Sequence, residues 1–141
     1  MIDSFGGKYR FLSNFYTAEV VFEGRVYPST EHAFQAAKTL DLAERAIIAA
    51  EPSPGRAKRL GRGVSLRSDW EDIKIDVMRA VVRDKFSRHP YLAAKLLETG
   101  DQMLVEGNRW GDRFWGVTPK GGKNWLGRIL MEIRAELKEE A

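Results

Sequence analysis

The chain has 141 residues, 43% of them hydrophobic and 30% charged, with a net charge of +3 and no cysteine. That length suits one domain able to bury a core without disulfides or metal, so a single domain over residues 1–141 is expected. The missing cysteines exclude thiol catalysis and cysteine-ligated zinc. With only two histidines, His32 and His89, a multi-histidine metal site is not expected, and so small a positive excess does not by itself imply a nucleic-acid partner.

The opening residues MIDSFGGKYR carry no apolar signal-peptide core, and no apolar run approaches a membrane span. A cytoplasmic protein without membrane contact is expected, in keeping with a cysteine-free composition. In chain order, Arg10-Phe-Leu-Ser-Asn-Phe-Tyr16 comes first, with Arg10, Ser13 and Asn14 set among aromatics. It reads either as a simple turn or as a ligand-contacting loop. Glu19 to Tyr27 reads as a β-hairpin around Glu23-Gly24, because β-branched and aromatic residues flank that pair. Tyr27-Pro-Ser-Thr30 then turns into a helix from Thr30 to Leu40, capped by Ser29 or Thr30, with Glu31 in the first turn where the helix dipole favours an acid.

Glu51-Pro-Ser-Pro-Gly55 is the firmest break. From Arg56 to Arg67 follow the cations Arg56, Lys58, Arg59, Arg62 and Arg67 with no acid among them. This stretch reads as a solvated surface or as a phosphate-facing edge. A long helix begins at Ser68, where Ser68 and Glu71 fit a capping box, and Trp70, Ile73, Val77, Ala80 and Val81 form its inner face. His89-Pro90 ends it and Pro90 opens the next helix, with Leu92, Leu96 and Leu97 inward and Gly100 as its stop. Met103 to Lys123 is an irregular stretch rich in glycine and tryptophan, the kind of loop that carries functional residues. Leu126, Ile129, Leu130, Ile133 and Leu137 then make a stripe at helical spacing.

Chemistry concentrates in a few places. At about 100° per residue, Glu31, Gln35 and Lys38 share one narrow face of the first helix. Spacing alone favours solvent for that face. If it lines a pocket instead, a carboxylate can activate water or steady an oxocarbenium ion. In the same pocket, a lysine can bind phosphate or attack an opened sugar. Asp112, flanked by Trp110 and Trp115, reads as a turn aspartate or as a second carboxylate partnering Glu31. Trp70, Trp110, Trp115 and Trp125 serve as core or as stacking surfaces for a base. Gly61-Arg-Gly63 and Gly121-Gly-Lys123 match neither phosphate-loop fingerprint and read as turns.

Taken in order, Phe11-Leu-Ser-Asn-Phe-Tyr16, Tyr27-Pro-Ser-Thr-Glu-His-Ala-Phe-Gln-Ala-Ala-Lys38, Lys58-Arg-Leu-Gly-Arg62, Asp69-Trp70, Lys85-Phe86, Leu104-Val-Glu106, Asp112-Arg-Phe-Trp-Gly116 and Asn124-Trp-Leu-Gly127 resemble the NADAR (YbiA-like) family over nearly the whole chain. The resemblance implies a compact α+β, mainly helical domain with a small N-terminal hairpin. It also implies N-glycosidase activity, either on phosphoribosylamino-pyrimidine intermediates of riboflavin synthesis or in removing ADP-ribose from guanine bases. Carried over by position, Glu31 matches the acidic active-site residue, and Lys38, Trp70, Asp112 and Trp115 match other pocket positions. Asn14, Gln35 and Asn124 match polar motif positions.

The expected mechanism is hydrolysis at ribose C1 without a metal or other cofactor. Glu31 stabilises the cationic sugar or positions water, Asp112 orients hydroxyls or water, and Trp70 and Trp115 sandwich the base. Arg10, Lys38 and a cation from Arg56, Lys58 or Arg62 face phosphates, while Ser13 joins the substrate contacts. In a variant, Lys38 traps the opened ribose as a Schiff base. Against both stands a non-catalytic reader of ADP-ribose or NAD.

Overall fold

A hairpin leads into a buried helix, and that succession sets the geometry of everything near Glu31. In the computed structural model, which describes residues 1–141, a 3-10 helix Gly7–Leu12 is followed by β1 (Val20–Phe22), β2 (Arg25–Tyr27), α1 (Thr30–Ala36), α2 (Leu42–Ala50), α3 (Pro54–Gly61), α4 (Trp70–Arg88), α5 (Pro90–Glu98) and α6 (Trp125–Glu140). The fold is α+β and mainly helical with one small sheet, as expected. Its contacts form two units, Asn14–Arg88, and Met1–Ser13 with His89–Ala141.

In the Asn14–Arg88 unit, β1 and β2 pair antiparallel, with Val20 opposite Tyr27 and Phe22 opposite Arg25. Glu23 and Gly24 both take positive φ, 47° and 81°. That is the primed turn whose twist matches the strands. Ser29 caps α1 by accepting the His32 backbone N–H. His32 is itself pinned: its Nε2–H donates to the Glu51 carbonyl at 2.7 Å, which leaves Nδ1 to accept from the Ser29 hydroxyl at 2.7 Å. Burial lowers its pKa, so the ring is held neutral. Every residue of α1 is buried, and the helix packs against α2, α3 and α4. The helix stops at Ala36, short of the expected Leu40. Thr39 instead bridges to Leu66, and the Arg67 N–H bonds to the Lys38 carbonyl at 2.8 Å.

Asp41 caps α2 and Ser53 caps α3, with Pro54 in its first turn. The sequence pattern predicts neither helix. In α2, Leu42 and Ile47 face solvent while Arg45 is buried, which inverts the usual stripe. In α3 only Ala57 and Gly61 are buried among the cations. The long helix α4 begins at Trp70, two residues after the expected start, behind a turn closed by Trp70 N–H to the Arg67 carbonyl. Val77, Met78, Val81, Val82, Lys85 and Phe86 form its buried face, and Ala80, expected inward, is exposed.

In the other unit, Pro90 opens α5 as expected and Gly100 ends it with φ of 63°. Leu92 and Leu96 are buried, while Leu97 is half-exposed. The α6 stripe of Leu126, Ile129, Leu130 and Ile133 packs against α5. Ile2 pairs in parallel with Leu104.

Candidate active site

The polar face of α1 does not face water. Glu31 is only 6% exposed and Gln35 3%. Amphipathic spacing assigned that face to solvent, but α2, α3 and α4 pack around α1, and Gly61 of α3 lies against Gln35. The Gln35 Nε2–H donates to Glu31 Oε1 at 2.9 Å, which fixes the carboxylate. Gln35 sits in a notch over Gly61, where any Cβ would come within 1.9 Å of Gln35 Oε1. That Oε1 is buried without a hydrogen-bond partner. Asn14 holds the start of the helix from the other direction. Its carbonyl accepts the Glu31 N–H at 3.1 Å and its Oδ1 accepts the Thr30 hydroxyl at 2.9 Å. Asn14, expected to touch substrate, therefore also positions Glu31.

Lys38 stands just past the helix, half-buried, with its ammonium 5.8 Å from the Phe34 ring centre. Burial pushes its pKa down, Glu31 pulls it back up, and the nearby cations Lys58, Arg62 and Lys74 push it down further. A buried carboxylate and four amines or guanidinium groups thus share one neighbourhood, an arrangement that favours an anionic ligand. Lys74 was not foreseen. It lies one turn beyond Trp70 on α4, and that spacing was the available signal. Arg56 takes no part in pressing on Lys38, and it pairs with Glu51 at 3.9 Å.

Trp70 is 6% exposed and packs on Phe34, with ring centres 5.1 Å apart. A base sandwich needs an open indole face, so in this structure Trp70 is first of all the apolar wall behind α1.

The remaining expected residues lie in the Met1–Ser13 and His89–Ala141 unit. Asp112 Oδ1 accepts the backbone N–H of both Phe114 and Trp115, at 3.0 and 2.9 Å, which is the turn-aspartate arrangement. Asn108 stitches the same loop through Asp112 N–H and the Asp112 carbonyl. Trp115 is half-buried, edge-on to Phe114 at 4.8 Å, whereas Trp110 is 66% exposed. Asn124 adopts left-handed geometry with φ of 56°, and both ends of its amide bind backbone, at Glu106 N–H and the Leu104 carbonyl. It shapes the loop rather than offering a free amide to a ligand. Arg10 is exposed on the 3-10 helix, and its carbonyl accepts the Ser13 N–H.

The family described as NADAR domain matches residues 4–138. The N-glycosidase YbiA of Escherichia coli is 44% identical over 131 residues, 91% of this chain and 81% of that protein. An N-glycosidase of Nostoc punctiforme is 38% identical over 136 residues, 92% of this chain and 86% of that one. A riboflavin biosynthesis protein of Vibrio vulnificus is 42% identical over 134 residues, 93% of this chain, but the chain spans only 36% of that longer protein. The NMR structure of E. coli YbiA superposes with a TM-score of 0.86 at 40% identity, covering 99% of this chain and 88% of that one. With a buried acid on α1 and an ordered match from end to end, this chain belongs to the NADAR domain family.

Proposed function

We propose that this chain is an N-glycosidase that hydrolyses the bond between ribose C1 and a base nitrogen in a ribosyl or ADP-ribosyl nucleotide. The observation that carries the reading is Glu31, a buried carboxylate braced by Gln35 and neighboured by Lys38. Relatives named N-glycosidases support the reaction type.

As the C1–N bond breaks, its electron pair leaves with the base and positive charge grows on C1 and the ring oxygen. A fixed carboxylate stabilises that charge most where water is excluded. Water then adds to C1, one of its protons ends on the leaving nitrogen, and free sugar and free base result. Glu31 takes the stabilising role or positions the water. Lys38, Lys58 and Arg62 hold phosphate oxygens, with Arg56 nearer the start of α3. Resemblance alone supports substrate-facing roles for Asp112, Trp115, Arg10 and Ser13, and Asp112 would act through Oδ2. A second version makes Lys38 the nucleophile, which its lowered pKa favours because more of the amine is neutral.

Relatives named for riboflavin biosynthesis favour a phosphoribosylamino-pyrimidine as substrate. ADP-ribosylated guanine, free or in DNA, is the second candidate. The cysteine-free composition suits a cytoplasmic site of action, and no helix is long and apolar enough to cross a membrane.

Incubation with each substrate, read by mass spectrometry with a parallel borohydride arm, tests the proposal. Release of free base from either substrate is the expected result, and a reduced sugar adduct on Lys38 selects the nucleophilic version. Tight ADP-ribose binding by calorimetry with no bond cleaved would leave a reader instead.

A further inference from the structure

We infer that the groove between the hairpin and α2 is a second binding site, built for a small oxyanion such as phosphate. It has a volume of about 530 Å³, and its walls include Glu23, Arg25, Val26, Tyr27, Leu42 and Arg45. None of these is among the residues around Glu31 and Lys38, so the inference stands apart from the proposed glycosidase reaction.

Two of the residues lining this groove carry a buried polar atom with no hydrogen-bond partner, the Tyr27 hydroxyl and Arg45 Nη2. Buried donors are rarely left unpaired, and two on residues that line one groove point to a place where an acceptor belongs. Arg45 is 6% exposed, and its guanidinium is fixed in place. Nε–H donates to the Thr39 carbonyl at 2.8 Å, Nη1 donates to Glu23 Oε1 at 2.8 Å, and the Phe22 ring centre lies 5.6 Å from its central carbon. Such a pre-set fork suits an oxyanion, which can accept two N–H bonds at once.

A carboxylate already sits on that fork. The Glu23 side chain is 56% exposed, and it projects from the turn at φ of 47°. A half-solvated pair of this kind is weak and easily exchanged. Both atoms are closed to solvent in this structure, so the oxyanion takes the place of Glu23 on Nη1 and reaches Nη2 and the Tyr27 hydroxyl only as that side chain leaves. Arg25 adds a second positive charge on the same groove. Burial raises the Tyr27 pKa, which keeps the phenol protonated as a donor.

The test is an amide NMR titration of the full chain with inorganic phosphate, against sodium chloride at matched ionic strength. Saturable shifts at Gly24, Arg25 and Val26 are expected. Glu23→Gln removes the competing carboxylate and should tighten binding about two- to fivefold. Tyr27→Phe keeps the ring and removes one donor to the anion, and should weaken binding about tenfold or more. Lys38→Ala should leave the hairpin titration unchanged. The site is refuted if the hairpin amides stay still, if chloride moves them equally, or if their shifts disappear in Lys38→Ala. A midpoint that ignores both hairpin substitutions assigns the orphan donors to bridging water and also ends the proposal.

Discussion

Burial pushes the Lys85 ammonium down to about 7, with its nitrogen 5.4 Å from the Tyr16 ring centre and 5.3 Å from that of Phe86. The unfolded chain keeps this proton up to about 10.5 and the folded chain releases it near 7. Between those values the unfolded state holds more protons, so this residue makes stability rise with pH across that window, while below 7 the full penalty of a buried charge is present. Lys85→Met should therefore flatten the rise, as read by denaturant unfolding at about pH 7 and about pH 9. An unchanged pH slope would mean that the amine is solvated in the folded chain. Residues of this sort were hard to read in advance. Lys85 lies on the same helical face as Val81 and Met78, and a lysine there reads as polar surface until the packing is known. Glu31 and Gln35 misled in the same way, because residue type argued for water while packing around α1 buries them.

At the scale of elements, α1 and α3 meet through Gly61. A Cβ there would lie 1.9 Å from Gln35 Oε1 and 2.7 Å from Gln35 Cδ. The amide can move only by leaving Glu31, since Nε2 holds Oε1 of the acid. Gly61→Ala is expected to cost about 1–3 kcal/mol through overpacking. Turnover should fall more than the melting temperature suggests, and adding Gln35→Ala should recover stability but not turnover, a coupling visible in a double-mutant cycle. Additive stabilities would show that the two helices do not meet as described. The hairpin, α5 and α6 were legible because their turns and stripes follow strong local rules. The helices α2 and α3 were not. One exposes Leu42 and Ile47 while burying Arg45, and the other is too polar to show a stripe. The end of α1 was set too late, at Leu40, because Thr39 gains a bridge to Leu66 that no local pattern announces.

Across the whole molecule, the ordering of short motifs carried more information than any one of them. Spacing alone set Glu31, Gln35 and Lys38 on one helical face, and the fold joins Asn14 to them, so that Asn14 and Gln35 hold the acid from two directions. Asp112 and Asn124 matched motif letters equally well, yet their side chains bind their own loop backbone. A motif position thus marks a residue the family fold needs, whether or not it touches substrate. The central claim rests on Glu31 as the group that stabilises the charge growing at C1 as the C1–N bond breaks, and single-turnover base release by Glu31→Gln measures it most directly. Glutamine can still accept the Gln35 bond, so the fold should persist, with a melting temperature near that of the parent chain. The proposed role predicts a rate at least about a hundredfold lower. A Glu31→Gln variant that releases base within about threefold of the parent rate, equivalent to well under 1 kcal/mol of barrier, would contradict it.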